Sequence, residues 1–205
     1  MEKGTRNTVL ALAVTSLALA GGASEAADPV PLAVILHVTN HAGTPEPDLA
    51  RAQAEISQIF GGIGVRTVWS DIAAGPDDRA CEGFNVDISL ASPHLIRELT
   101  RHGAHEDVLG TAPRGGGRIF IYSERVSLRA RESMIDERVL LGRVIAHEVG
   151  HILLPRKGHS AAGIMVASLN TGPVGAGFTP KEADAIRALL ESQAGNRSPR
   201  TSCDR

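Results

Sequence analysis

The segment from Asp136 to Leu153 constrains the fold more than any other part of the chain. Leu140, Val144, His147 and His151 follow one another at steps of 4, 3 and 4, the spacing that stacks side chains on one face of a helix. That face carries His147-Glu148-Val149-Gly150-His151, the HExxH pattern. Two imidazoles one turn apart can both reach one Zn2+, and Glu148 beside them is placed to handle a water at the metal. A catalytic zinc needs three protein ligands and an open fourth position, so a third donor must come from elsewhere in the chain.

The next residues supply one. Pro155 stops the helix, Gly158 permits a reversal, and the chain runs on as His159-Ser160-Ala161-Ala162-Gly163-Ile164-Met165. On these residues the sequence resembles the metzincin metallopeptidases, where HExxH is followed by a chain reversal, a third His ligand and a methionine turn beneath the metal. It looks closest to small bacterial metzincin-like proteins with a His-Ser-x-x-Gly-Ile-Met ending. The resemblance implies zinc held by His147, His151 and His159, with Glu148 as general base and Met165 as the turn methionine. In specific motifs it covers residues 144–166, and elsewhere only the layout is similar. One departure stands out: the usual HExxHxxGxxH would put Gly at position 154 and His at 157. This chain has Leu154 and Lys157, and its histidine arrives two residues late.

The resemblance also implies an edge strand beside the cleft, to which an extended peptide adds by main-chain hydrogen bonds. Val108–Ala112 is the candidate, with Leu109, Gly110, Thr111 and Ala112 as substrate-binding residues. The wall around Gly163–Met165 would limit the side chain just after the cut. A rival third ligand, as in gluzincin peptidases, is a carboxylate, and Glu182 lies 31 residues beyond His151. Thr179-Pro180-Lys181-Glu182 nevertheless fits a capping box opening a helix through Ala183, Ile186, Leu189 and Leu190. Glu182 is therefore assigned to capping.

Upstream, strands and helices alternate. Leu32–Thr39 reads as a buried first strand, and Asp48–Phe60 as a helix with Pro47 in its first turn and Gly61-Gly62 at its end. Val65–Ser70 and Val86–Ala91 read as strands, His94–Arg101 as a short helix, Val108–Ala112 as a weak strand and Arg118–Ser123 as a stronger one. With only four Phe, one Tyr and one Trp, the core must be aliphatic. The expected fold is α/β (α+β), a metzincin-like catalytic domain. It would have a mixed twisted sheet of about 4–5 strands, an active-site helix and a C-terminal helix.

Lys3 and Arg6, the apolar stretch Val9 to Ala20 and the small residues after it have the layout of a secretory signal peptide cleaved after Ala26 or Ala27. The expected organisation is a signal peptide over 1–26, the zinc peptidase domain over 27–195 and a polar tail over 196–205. The mature chain would be secreted or periplasmic. In an oxidising compartment Cys81 and Cys203 can form a disulfide that ties the tail to the body. With 21 Lys+Arg against 23 Asp+Glu, the net charge of -2 leaves no basic footprint for nucleic acid. No apolar run reaches the ~18–20 residues of a membrane span. The expected partner is a peptide or protein substrate, and a monomer is the default. His37, His41, His94, His102 and His105 have no partner at ligand spacing and read as structural or solvated. Gly115–Gly117 reads as a flexible loop, since no Lys-Ser/Thr helix start follows it to make a phosphate cradle.

These features point to an exported zinc metalloendopeptidase. Two other classes use the same residues: a zinc-dependent amidase acting on cell-wall peptide, and a catalytically weak binding protein that keeps zinc for structure. Glu148 weighs against the second, because a structural site needs no base and usually closes with four protein ligands.

Overall fold

A largely apolar and β-branched run is the pattern of a strand covered on both faces, and Ala33–Asn40 forms such a strand, β1, in the interior of the sheet between β2 and β3. The structure, a computed structural model, describes residues 32–71, 83–101, 108–113, 118–155, 158–168 and 177–195. In chain order the elements are β1, α1 (Glu46–Gly61), β2 (Arg66–Asp71), β3 (Phe84–Ala91), α2 (Pro93–Thr100), β4 (Gly110–Thr111), β5 (Arg118–Tyr122), α3 (Ser123–Ser133), α4 (Glu137–Leu153) and α5 (Pro180–Gly195). The strands form one five-stranded sheet in the order β2-β1-β3-β5-β4. β1, β2, β3 and β5 pair in parallel, and β4 lies antiparallel to β5 at the edge. The protein is thus of mixed α/β type.

Alternation along the strands sorts the faces. Val34, Leu36 and Val38 of β1, Val86, Ile88 and Leu90 of β3, and Ile119 and Ile121 of β5 share one aliphatic core with α1, α4 and α5. Residues of the opposite parity, Ala91 and Tyr122, pack with Ile96 of α2 in a second cluster. β1 keeps one polar side chain in its buried run. His37 is 2% exposed, and its Nε2 lies 2.7 Å from Asn85 Oδ1 on β3. It is a satisfied structural histidine, as its lack of ligand spacing suggested, whereas His41 and His94 are exposed.

α4 is seated on α1 by a close backbone approach. A Cβ at Gly142 would stand 2.6 Å from the Ala52 carbonyl oxygen, so only glycine permits the contact. Beside it the Arg143 guanidinium Nε donates to Glu55 Oε1 at 3.0 Å, with both side chains largely buried. These contacts set the position of the helix that carries HExxH.

Most element ends shift by one or two residues from the sequence expectation, the strand expected over Val108–Ala112 shortens to Gly110–Thr111, and one helix is new. The strand expected over Arg118–Ser123 ends at Tyr122, because Ser123 already opens α3. α3 itself was not foreseen: it buries only Val126 and Ala130, leaves Leu128 52% exposed, and so shows no apolar stripe wide enough to read. It stops at Met134, whose φ of 53° puts it in the left-handed cap conformation.

Candidate metal centre

The site grows from the last turns of α4. Asp136 caps the helix by accepting from the Arg138 N–H at 2.9 Å, and nearly every residue from Leu140 to Gly150 is buried, with Arg143 half-buried. His147 and His151, four apart, bring their Nε2 atoms to 3.0 Å. His147 is buried, and its Nδ1–H donates to the Ile164 carbonyl at 2.8 Å. A carbonyl can only accept, so this bond assigns the proton to Nδ1 and leaves Nε2, which faces His151, with the lone pair that can bind a metal.

His159 joins them from beyond the helix end. Leu154 leaves α4 in extended conformation (φ -88°, ψ 136°) and Pro155 follows, which cannot continue the helical ladder. The ring centroid of His159 is then 5.2 Å from that of His147 and 5.1 Å from that of His151. One ligand atom from each of the three imidazoles lies within 4.8 Å of the others. The donor set fits a metal ion: tetrahedral Zn–N bonds of ~2.0–2.1 Å place nitrogens about 3.3 Å apart, close to the separation already present between His147 and His151.

The electrostatics suit ligation. Burial pushes the His147 imidazole below its usual pKa, opposed in part by its bond to Ile164. Burial, followed by the neighbouring His147 and His159, holds His151 down to about 4. Near neutral pH the two imidazoles of α4 are therefore uncharged, the form that binds metal.

Glu148 is 6% exposed, and burial raises its carboxyl to about 7. Its neighbour is the edge strand. A Cβ at Gly110 would fall 2.9 Å from Glu148 Cγ and 3.1 Å from Oε1, so the β4 backbone itself forms the wall against this carboxylate. Of the four residues expected to bind substrate, Gly110 and Thr111 make up β4, and the Leu109 carbonyl accepts from the Tyr122 N–H at 2.8 Å. Leu109 and Ala112 pack against the core. The Tyr122 phenol sits high through burial, with Arg125 opposing and the Glu148 charge adding to the rise. The Arg125 guanidinium lies 4.8 Å over the Tyr122 ring and donates to the Val108 carbonyl at 3.0 Å.

Met165 is fully buried against α4 at Gly150. A Cβ at Gly150 would come within 2.4 Å of Met165 Sδ, so the glycine inside HExxH makes room for the methionine. The loop ahead of it is closed by Ser160 N–H donating to the Met165 carbonyl and Ile164 N–H to the Gly177 carbonyl, both at 2.8 Å. Gly163, at φ 78°, turns the chain where a side chain would strike the Gly177 oxygen at 2.8 Å.

Glu182 is not one of the three clustered ligands. Its Oε2 accepts the Thr179 N–H at 2.8 Å while its own N–H reaches Thr179 Oγ1 at 3.4 Å, the reciprocal capping box expected at the start of α5. Sequence reasoning missed three partners of the site: Gly110 against Glu148, the Ile164 carbonyl under His147, and the hydroxyl of Ser160 on Glu182. No local pattern signals any of them. Cys81, Cys203, His102, His105, Gly115–Gly117, the segment 1–26 and the tail 196–205 lie outside the described residues.

No family model matches the chain, and no curated protein matches it. Fold and site together define a mixed α/β protein with a three-histidine group able to hold a metal ion. Among the described residues no helix is long and apolar enough to cross a membrane.

Proposed function

We propose that this chain is an exported zinc metalloendopeptidase with a metzincin-like catalytic domain. The observation that carries the reading is the convergence of His147, His151 and His159 next to Glu148, a buried carboxylate that is not part of the ligand group. Three imidazoles and a free acid are the donor set of a catalytic zinc site rather than of a closed structural one. Met165 packed under Gly150 supports the metzincin-like likeness.

His147, His151 and His159 would hold the ion, which supplies Lewis acidity toward a carbonyl and acidity to a water. Glu148 takes the proton from the attacking water and returns it to the leaving amine. Its carboxyl, raised to about 7 by burial alone, is pulled back toward the anion when a cation sits on the histidines, so it can act in both directions near neutral pH. Gly110 keeps the carboxylate in place and keeps bulk water off one side of it. β4, at the sheet edge, offers main-chain groups to an extended substrate.

The test is metal analysis of the purified mature chain, together with digestion of a peptide library and of a cell-wall preparation, each with and without chelator. About one zinc per chain and chelator-sensitive cleavage of the library is the expected result. Cleavage confined to the cell-wall preparation would make the chain an amidase of that substrate. Zinc without any turnover, unchanged by Glu148→Ala, would overturn the enzymatic reading.

A further inference from the structure

A capping box uses one oxygen of its glutamate, and Glu182 has two. Oε2 closes the box on the Thr179 N–H, while Oε1 accepts the hydroxyl of Ser160, 22 residues earlier in the chain. Ser160 directly follows His159. It is held twice, through its hydroxyl by Glu182 and through its N–H by the Met165 carbonyl. The same loop presents the Ile164 carbonyl to His147 Nδ1. His159 itself is exposed and its ring meets those of His147 and His151, so the backbone that carries it sets where the ring can sit. Glu182, 7% exposed and anchored on α5, is the group placed to hold it.

We infer that Glu182 is a positioning residue for the metal centre: through Ser160 it holds the loop that delivers His159, and so couples the docking of α5 to metal affinity. The inference rests on the three-histidine metal reading and not on proteolysis. Groups that orient a ligand from behind typically contribute 10–100-fold in metal affinity. By linkage, whatever the docked α5 adds to metal affinity, bound metal returns to the docking of α5.

The experiment measures Zn2+ affinity of the full chain by competition with a chromophoric chelator, with the Co2+ absorption spectrum as a second readout. The variants are Ser160→Ala, Glu182→Gln, the two combined, Thr179→Val and His159→Ala. Ser160→Ala and Glu182→Gln should each weaken Zn2+ binding about 10-fold or more, and the double variant should lose little beyond either single. All three should keep the tetrahedral Co2+ spectrum of three nitrogen donors. Thr179→Val removes the capping hydroxyl but leaves Ser160 on Glu182, so it should lower the melting temperature at parental Zn2+ affinity. Loss in Glu182→Gln with Ser160→Ala at parental affinity would overturn the inference, since Glu182 would then be a ligand. Parental affinity in both would overturn it while leaving the metal site standing, as would Ser160→Ala and Thr179→Val weakening Zn2+ equally. A parent chain that takes up no metal would remove the metal reading and this inference with it. Should Glu182→Gln fail to fold, Ser160→Ala against Thr179→Val decides alone.

Discussion

Glu148 should destabilise the metal-free protein at the pH where it would work, and Glu148→Gln should reveal by how much. The folded-state carboxyl titrates at about 7 against an ordinary value of 4.5, with burial as the cause. Below pH 4.5 the acid is protonated in both folded and unfolded chains, and its ionisation costs the fold nothing. Between 4.5 and 7 only the unfolded chain loses the proton, so the parent loses stability as pH rises. Above 7 both states are ionised and the loss levels off. At about 1.36 kcal/mol per pKa unit, the plateau is about 3 kcal/mol. For a chain of this size that is a shift of roughly 6–12 °C in melting temperature. Glutamine keeps the shape and cannot ionise. The assay is thermal unfolding of chelated parent and variant from pH 4 to 9, reading only how their difference changes with pH, so a constant offset from burying an amide drops out. His147 and His151 titrate in both proteins and largely cancel. A melting difference that stays flat across this range would refute the reasoning, and one that shrinks with rising pH would reverse its sign.

Gly110→Ala should retain zinc yet cut turnover at least 10-fold, because a methyl 2.9 Å from Glu148 Cγ must displace the base or the edge strand; metal content and turnover measured on one sample check it. Gly150→Ala should destabilise by about 1–3 kcal/mol through overpacking on Met165, despite alanine's helix propensity, and less so in a Met165→Ala background, as denaturant melts would show. Glu55→Ala strands the Arg143 guanidinium at the α1–α4 contact and should cost about 3 kcal/mol, part of it recovered by adding Arg143→Met; a double variant no more stable than the single would count against the buried pair.

What the sequence by itself determined lies within a few turns of chain. The register of α4 follows from the spacing of Leu140, Val144, His147 and His151, and the start of α5 from the reciprocal needs of Thr179 and Glu182. Four of the strand segments were legible as largely apolar or β-branched runs and Val108–Ala112 only as a weak one, because a side chain's preference for strand or helix acts through its own neighbours. α3 was not, since its two buried positions are too few to make a period and packing on α4 decides it. Only tertiary structure placed β1 between β2 and β3 and put the two-residue β4 at the edge. It alone brought Gly110 against Glu148, the Ile164 carbonyl under His147 and Ser160 onto Glu182. HExxH names donors that one helix already holds in register. The groups that orient them come from distant segments, and their positions follow the path of the whole chain, which no local spacing encodes.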